Sequence, residues 1–462
     1  MTATDAIRFL ARCAMPAAVA LVASMAPPVA SAGPSAGPPI PPDAPVTGLI
    51  DRYMLAQRAF AAATVTATSV ADGLSTTRWE LTSQLVDGQP WRHELALFAP
   101  EAASGPCILW LPPAGVDWLP RARDAARLLS SPLAVLTNVP PGATAVDESA
   151  VVGASLAAFA REGDPDRPVP IAMARAASAA MDTLEHWSLD QPAGAPLDRF
   201  VLVGGGVRGW GAWIAAGVDH RVVGTMMIGF DLGNLAEQRR EAFASLRDVA
   251  SVDQQRLQQL IGLVDPAAIA AHARAPVWIV RGTNDTDYPL EALDHYAWDL
   301  KSPFRATHRM NRAGDVATEL PVDELRWLVR WSQDPAIILP GASLAVSGSS
   351  VTLAPEIDSG DIAKVRLWSA SSETLDFSKA TWVGEPMARD AHQWLSARPH
   401  AAEGARYQAL IGELVLLDQQ GARGTITTVP VILSGGMTAP KPRTRLFVPP
   451  RPLAPSGDGH DH

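Results

Sequence analysis

The sequence has little cysteine and no concentration of basic charge. Two cysteines in 462 residues are too few for a disulfide framework or a cysteine-rich zinc site. Lys and Arg total 38 against 48 Asp and Glu, which gives a formal net charge of -10. Nucleic-acid binding needs a basic face, and no Lys/Arg cluster provides one. The sequence therefore predicts no metal site, no cofactor and no nucleic-acid partner.

Long apolar runs are also missing, since none reaches the ~20 residues that a membrane-spanning helix needs. The apolar stretch 14–26 follows Arg8 and Arg12 and precedes the small-residue pattern Ala30-Ser-Ala32. This order is typical of a cleaved export signal. We therefore expect a signal peptide over residues 1–32, export to the periplasm or the medium, and no transmembrane segment in the mature chain.

The rest of the chain has the apolar content of a globular protein, with 47% hydrophobic and 19% charged residues. Around Asp87-Gly88, two alternating segments predict a β-hairpin. Apolar strands then alternate with helices, which indicates a mostly parallel sheet covered on both faces. The predicted strands are 107–111, 133–139, 200–204, 222–228, 277–281 and 304–310, and the predicted helices include 235–249 and 290–300.

These patterns divide the chain into consecutive regions. After a flexible leader over residues 33–46, an α/β-hydrolase-like domain is expected over 47–335. Short β-rich segments with Gly, Pro and Ser punctuation then predict a small β-sandwich over 336–434. Residues 435–462 have no apolar period and are predicted to be a disordered tail.

The segment Val201-Leu-Val-Gly-Gly-Gly-Val-Arg-Gly-Trp210 is an apolar strand, a glycine turn and the start of a helix. α/β-Hydrolases present their nucleophile on such a turn. The residue at the tip is Gly206, which has no side chain and cannot attack a substrate. A glycine turn before a helix could also hold a phosphate, but the Lys-Ser/Thr of a P-loop and the spacing of a dinucleotide fingerprint are missing.

Several motifs resemble the PhoPQ-activated pathogenicity-related protein family, which has an α/β-hydrolase-like domain. The helix segment ending in Ala180-Met-Asp182 is similar to the family's Ala-Met-Asp helix, and Gly204-Gly-Gly-Val-Arg-Gly-Trp210 resembles its Gly-Ala-Ser-Lys-Arg-Gly-Trp turn. Gly282-Thr-Asn-Asp285 resembles its acid-bearing Gly-Thr-Gly-Asp turn. Further along, Val365-Arg-Leu-Trp-Ser369 and Asp376-Phe377 are similar to its C-terminal motifs.

The resemblance implies positions for a nucleophile, an acid and a histidine, which serine hydrolases need together. The nucleophile position is Gly206 and the acid position is Asp285, although an aspartate in a turn can equally cap that turn. The family's Asn-x-x-His pattern reads Asn311-Arg-Ala-Gly314 here, so Gly314 replaces the base. His308 is the alternative, as a displaced base. The resemblance therefore implies a degenerate triad and a hydrolase fold without triad catalysis.

The residues expected near the glycine turn also bear on whether the site can catalyse a reaction. The loop 112–115 after the first parallel strand would supply an oxyanion donor, but Pro112 and Pro113 have no N–H. Arg208, in the first turn of a helix, is expected to be paired with an acid or to face the cleft and hold an anion. The candidate residues of a binding cleft are Gly205, Arg208, Trp210 and Trp118.

Three functions remain open on the sequence. In the first, an exported hydrolase-fold protein binds a small molecule, peptide or glycan, or a protein partner, without triad chemistry. In the second, an active esterase or peptidase uses a displaced nucleophile or base. In the third, the protein is a structural module of the cell envelope. The oligomeric state does not follow from the sequence.

Overall fold

The architecture is taken from a computed structural model, which describes most of the chain between residues 46 and 434. The predicted signal peptide, almost all of the predicted leader, the predicted tail and most of the predicted helix 235–249 lie outside the described residues. The described residues are 46–142, 148–164, 167–191, 196–233, 235, 254–270, 275–297, 300–334, 336–356, 361–419 and 421–434.

A parallel six-stranded core forms the middle of the main sheet, in the order β5-β4-β6-β7-β8-β9. Its strands are made almost entirely of buried residues, as expected for a sheet covered on both faces. The six predicted strands are confirmed to within two residues at each end. They are β4 Cys107–Leu111, β5 Leu133–Thr137, β6 Phe200–Gly205, β7 Val222–Ile228, β8 Val277–Gly282 and β9 Phe304–Arg309.

An antiparallel hairpin extends the core beyond β5. It joins β2 Leu74–Val86 to β3 Gln89–Pro100 through Asp87 and Gly88, whose φ angles are 52° and 72°. Two positive φ angles are what a tight hairpin turn requires, so this predicted hairpin is confirmed. Beyond it, β1 Ala62–Ala71 pairs with β2 and forms one edge of the sheet.

Helices pack on both faces of the core. On one face, buried residues of α4 and α5 join one apolar cluster; on the other, α2 and α8 join a second cluster. Together these layers show an α/β-hydrolase-like fold. The helices are α1 Val46–Gln57, α2 Trp118–Leu129, α3 Glu148–Glu162, α4 Val169–Leu189, α5 Arg208–Val218, α6 Gln254–Val264, α7 Pro266–Ala270 and α8 Val322–Gln333.

The predicted helix 290–300 is wrong. The described residues 290–297 form turns and a short 3₁₀ helix, Ala292–His295. The apolar residues Leu290, Leu293 and Tyr296 recur every three positions, which suits a 3₁₀ turn, and all three are buried.

The β-rich C-terminal part contributes to two sheets. Strands β17, β16, β12 and β13 continue the main sheet, because Thr427 of β17 pairs with Ala306 of β9. A separate antiparallel sheet has the order β10-β11-β15-β14 and packs against the first, since Leu353 fills the space where Gly412 has no side chain. The strands are β10 Ala342–Ser347, β11 Ser350–Pro355, β12 Ile362–Ser372, β13 Val383–Pro386, β14 Ala388–Asp390, β15 Gln393–Ala397, β16 Tyr407–Leu417, β17 Arg423–Thr427 and β18 Val431–Ser434.

Within the described ranges, no helix is long and apolar enough to cross a membrane.

Candidate functional site

The glycine turn at the carboxyl end of β6 has the backbone of a nucleophile elbow. Gly206 has a φ of 57°, and its N–H donates a 2.8 Å hydrogen bond to the carbonyl of Ile228 on β7. Among the described residues, a Cβ atom added there would meet only the Cβ of Ala317, at 3.8 Å. That is ordinary van der Waals contact, so a Cβ atom would fit, at the cost of a left-handed backbone. The turn therefore retains the shape and the room that a nucleophile needs.

A 3₁₀ helix, Gly314–Thr318, lies across the carboxyl ends of β6 and β7. Its Ala317 approaches three turn glycines, and a Cβ on Gly205 would lie 2.6 Å from the Ala317 carbonyl oxygen. The same atom would lie 2.6 Å from Cδ of Pro113, so the loop 112–115 also packs against the elbow. Sequence reasoning missed Ala317, because nothing in its residue type indicates contact with a segment a hundred positions earlier.

The acid and base positions lie side by side, as the resemblance implies. Asp285 follows β8 and is 7% exposed. Its Oδ1 accepts hydrogen bonds from the N–H groups of Asp287 (2.8 Å) and Tyr288 (3.2 Å) and so caps the turn. Its Oδ2 has no hydrogen-bond partner in the described part of the chain. A Cβ on Gly314 would lie 3.8 Å from this Oδ2, so the oxygen faces the place that a histidine would take.

The C-terminal part holds the loops that carry these two positions. In the acid loop, the Asn284 amide donates to the carbonyls of Ser378 (3.0 Å) and Ala380 (2.7 Å). In the base loop, Asn311 bonds the Trp382 backbone twice, accepting from its N–H at 2.8 Å and donating to its carbonyl at 3.1 Å. The sequence signal for these contacts was the Asn-x-x-His match, which singled out Asn311 without giving its role.

Arg208 is paired with an acid and does not face the cleft. It is 1% exposed, and its guanidinium forms a two-pronged ion pair with Glu148 at 2.7 and 2.6 Å. Glu148 is the first residue of α3. Its Oε1 also accepts from the N–H of Ala114 at 3.0 Å. This carboxylate therefore ties the elbow helix to the loop beside it.

That hydrogen bond also reduces the donors available for an oxyanion. In the loop 112–115, Pro112 and Pro113 have no N–H, and the Ala114 N–H is directed at Glu148. Losing one oxyanion donor typically costs about 100- to 1000-fold in rate.

His308, the alternative base, lies on β9 rather than in a loop. It is 2% exposed, and its Nδ1 is 2.7 Å from Oγ1 of Thr427. Burial, together with the charge of Arg281, holds the pKa of His308 well below its usual value. The ring is therefore neutral at pH 7, and its Nε2 has no partner among the described residues.

The two tryptophans among the cleft candidates differ in exposure. Trp210 is fully buried, and its indole N–H donates to the carbonyl of Val264. Trp118, at the start of α2, is partly exposed and packs edge-on against Phe98, with ring centroids 6.5 Å apart. Trp118 thus offers surface to a ligand near this end of the sheet, whereas Trp210 offers none.

Metal ligands do not converge here. Among the described residues, no group of three or more His, Cys, Asp or Glu side chains could hold a metal ion. The thiol of Cys107 is buried in β4, and this burial raises its pKa to about 12. A thiol with that pKa stays protonated and unreactive at neutral pH.

Comparisons with known proteins give similar folds and one family. Solved structures similar to this chain include acetyl xylan esterase 1 from Thermoanaerobacterium sp. (12% identity, 60% of this chain and 89% of that chain, TM-score 0.44). Another is an S-formylglutathione hydrolase from Agrobacterium tumefaciens (13% identity, 58% of this chain and 99% of that chain, TM-score 0.42). A third is a glucuronoyl esterase from Teredinibacter turnerae (15% identity, 59% of this chain and 79% of that chain, TM-score 0.38). No curated protein matches the sequence. The sequence profile of the PhoPQ-activated pathogenicity-related proteins matches residues 50–378, and the chain belongs to that family.

Proposed function

We propose that this protein is an exported hydrolase-fold protein that binds a ligand or partner at the elbow and has no triad catalysis. One observation carries the proposal. The elbow backbone and Asp285 support the triad positions that the family motifs imply, but the positions for the nucleophile and the base are Gly206 and Gly314. At each of these glycines an added Cβ atom would have its nearest neighbour among the described residues at 3.8 Å.

The orphaned oxygen of Asp285 suggests what such a ligand offers. A buried carboxylate oxygen without a donor is unfavourable unless something hydrogen-bonds to it. Gly314 is exposed, so this side of Asp285 is open to a group from solution. We therefore expect the ligand to place a hydrogen-bond donor, such as an ammonium, a guanidinium or an imidazole, in the space that the family's histidine would fill.

A serine-reactive fluorophosphonate tests the absence of catalysis. The wild-type protein should show no covalent adduct by intact mass spectrometry. The double variant Gly206→Ser/Gly314→His should gain one adduct at position 206, because a Cβ atom fits at both positions and the one at 314 would lie 3.8 Å from Oδ2 of Asp285, on the side where an imidazole could bond it. The matched control, Gly206→Ala/Gly314→His, carries the same backbone strain and the same base but no hydroxyl, and should remain unlabelled.

The labelling experiment also decides between the first two functions. Stoichiometric labelling of the wild-type protein would overturn the proposal and favour an active hydrolase with a displaced nucleophile. His308 would then be the residue to test as its base, for example as His308→Gln.

Imidazole itself is a probe for the binding function. At ten times its Kd it should raise the Tm by about 1 to 2 °C, given the size of the protein. Asp285→Asn, which removes the charge of the acceptor, and Gly314→His, which fills the space, should each remove that rise. A Tm that imidazole does not change in the wild type, or changes equally in all three proteins, would contradict a donor-binding site and leave the structural-module function favoured.

Export is tested by the mass of the processed protein. If residues 1–32 are a signal peptide, the protein recovered from the periplasm or the medium of a bacterial host should begin at Gly33. Recovery of the full-length chain from the cytoplasm alone would contradict export.

A further inference from the structure

Strand β1 is a free edge of the main sheet. It pairs with β2 on one side, and no strand of the described chain pairs with its other side. All ten of its residues, Ala62–Ala71, are exposed, so its side chains gain little from burial within the described chain. The N–H and C=O groups along its outer side are therefore available to a strand of another chain.

The sequence of β1 lacks the features that usually protect such an edge. Protected edge strands are short, or they carry charges or proline that oppose pairing with another chain. At the opposite end of the same sheet, β13 has only four residues and includes Glu385 and Pro386. In contrast, β1 has ten residues without a charge or a proline, and its Val65 and Val70 are 50% and 69% exposed.

A β-bulge decides which side chains of β1 share a face. The register of β1 with β2 skips Thr66, so the alternation of faces shifts by one residue there. On β2, Trp79 and Leu81 lie on the face that joins the apolar cluster of α4 and α5. Residues directly opposite each other share a face of a sheet. The β1 residues on the α4 face are therefore Ala63, Val65, Thr68 and Val70.

Two copies of β1 fit each other as antiparallel strands. One register pairs all ten residues of each strand, and its two-fold axis lies next to the two bulges. In that register Ala63 lies opposite Val70 of the second copy, and Val65 lies opposite Thr68 of the second copy. Each of these pairs joins residues of the same face, as an antiparallel pair requires. No like charges meet, because the strand has none.

The surface beside the first residues of β1 suits the valine that this register brings to it. A cavity of about 900 Å³ opens there, and Ala63, Leu55 and Leu189 are among its lining residues. Leu55 and Leu189 are 67% and 64% exposed. Val70 of the second copy, opposite Ala63, would lie at this cavity, so that exposed apolar side chains of the two chains cover each other. A two-fold axis makes the same contact twice.

We propose that two copies of this protein associate through β1 as an antiparallel pair, which joins their main sheets into one. The backbone of β1 supplies the hydrogen bonds, and the contact of Val70 with the cavity of the other copy sets the register. In the order of the sheet, β1 is five strand positions from β6, or roughly 24 Å at about 4.8 Å per strand. This interface is therefore separate from the elbow.

Sedimentation equilibrium of the purified protein over a concentration series measures the association. The wild type should approach twice the mass of one chain. Val70→Lys should weaken the dimer about tenfold, because each dimer loses two apolar contacts and gains two charges at the edge. The matched control Val383→Lys changes a valine that is 57% exposed on β13, and should dimerise as the wild type does. The mass of a single chain at every concentration, or a dimer that Val70→Lys does not weaken more than Val383→Lys, would overturn the proposal.

Paired thiols test the register, in a Cys13→Ser background where the remaining Cys107 is buried. In the proposed pair, position 63 of one copy and position 70 of the other are within the Cα separation that a disulfide needs. Within one chain these positions are seven residues apart on a strand, or roughly 23 Å, and cannot be joined. With an added oxidant, Ala63→Cys/Val70→Cys should therefore form a disulfide-linked dimer, and neither single variant should. A double variant that stays a single chain, or a single variant that links as fast, would contradict this pairing.

Discussion

The substitutions Gly206→Ala and Gly205→Ala should lower the free energy of unfolding by different amounts, although the two glycines are adjacent. The comparison measures directly whether the elbow has kept room for a nucleophile. At Gly206 the added Cβ would have its nearest neighbour at 3.8 Å, whereas at Gly205 it would lie 2.6 Å from both the Ala317 carbonyl oxygen and Cδ of Pro113.

The expected magnitudes follow from these contacts. For Gly206→Ala, the left-handed φ of 57° costs about 1 to 2 kcal/mol. The loss of glycine's freedom in the unfolded chain returns about 0.4 to 1 kcal/mol, so the net destabilisation is about 1 kcal/mol. For Gly205→Ala there is no left-handed strain, but overpacking against a backbone carbonyl and a proline ring costs about 3 kcal/mol. The unfolded-chain term is the same for both variants, so the net destabilisation by Gly205→Ala is about 2 to 3 kcal/mol. The difference between the two variants should therefore be about 1 to 2 kcal/mol.

Urea-induced unfolding followed by tryptophan fluorescence gives both free energies of unfolding. Gly206→Ala should unfold close to the wild type, and Gly205→Ala at a clearly lower urea concentration with a similar m-value. If the alanine at 206 proved as destabilising as the alanine at 205, the space at the elbow tip would be filled in solution. The labelling experiment with Gly206→Ser would then lose its basis.

Further predictions concern pH and the contacts around the site. Burial lowers the pKa of His93 to about 4 from 6.5. The stability that depends on neutral His93 is therefore fully present above pH 6.5 and is lost as the pH falls toward 4. At pH 5 the loss in the free energy of unfolding is roughly 2 kcal/mol. In urea titrations at pH 7 and pH 5, His93→Gln should therefore lose roughly 2 kcal/mol less than the wild type between the two pH values. Glu148→Gln should cost about 3 to 5 kcal/mol because it leaves Arg208 buried and unpaired, and adding Arg208→Met should recover part of that loss in the same assay. Asn311→Gly, which relieves its φ of 57° but removes both hydrogen bonds to Trp382, should lower the free energy of unfolding by about 1 to 2 kcal/mol.

Much of the fold could be predicted from the sequence, because a buried parallel strand is marked by a short run of apolar residues that needs no information from distant parts of the chain. The segment Cys107–Leu111 is apolar throughout and Val222–Ile228 is mostly apolar, and the structure gives both segments those same bounds. The signal for the hairpin turn also lies within a few residues, since Asp87-Gly88 is a dipeptide that tolerates two positive φ angles. The elbow was recognisable for the same reason.

The features that sequence reasoning missed depend on partners far along the chain. The edge strand β1 was missed because its ten residues are exposed, so no burial pattern marks it. The pairing of Glu148 with Arg208 has no local signal in the sequence, because the two residues are sixty positions apart. At the site, the acid and base positions followed from the family motifs, but the orphaned oxygen of Asp285 and the contact with Ala317 depend on how three loops meet.

Packing gives the glycines of the elbow motif a structural role that does not depend on catalysis. A Cβ on Gly204 would lie 2.6 Å from the Arg208 carbonyl oxygen, one on Gly209 would lie 2.8 Å from Phe230, and one on Gly211 would lie 2.6 Å from Met173. These glycines let α5 pack closely against the strands and α4, whatever the protein does, so the motif by itself is no evidence of catalysis. Gly206 and Gly314 differ, because a side chain at either position has ordinary contact distances. Packing leaves room for a Cβ atom at both positions that the nucleophile and the base of a triad would occupy, and this is why their restoration can test the function without first breaking the fold.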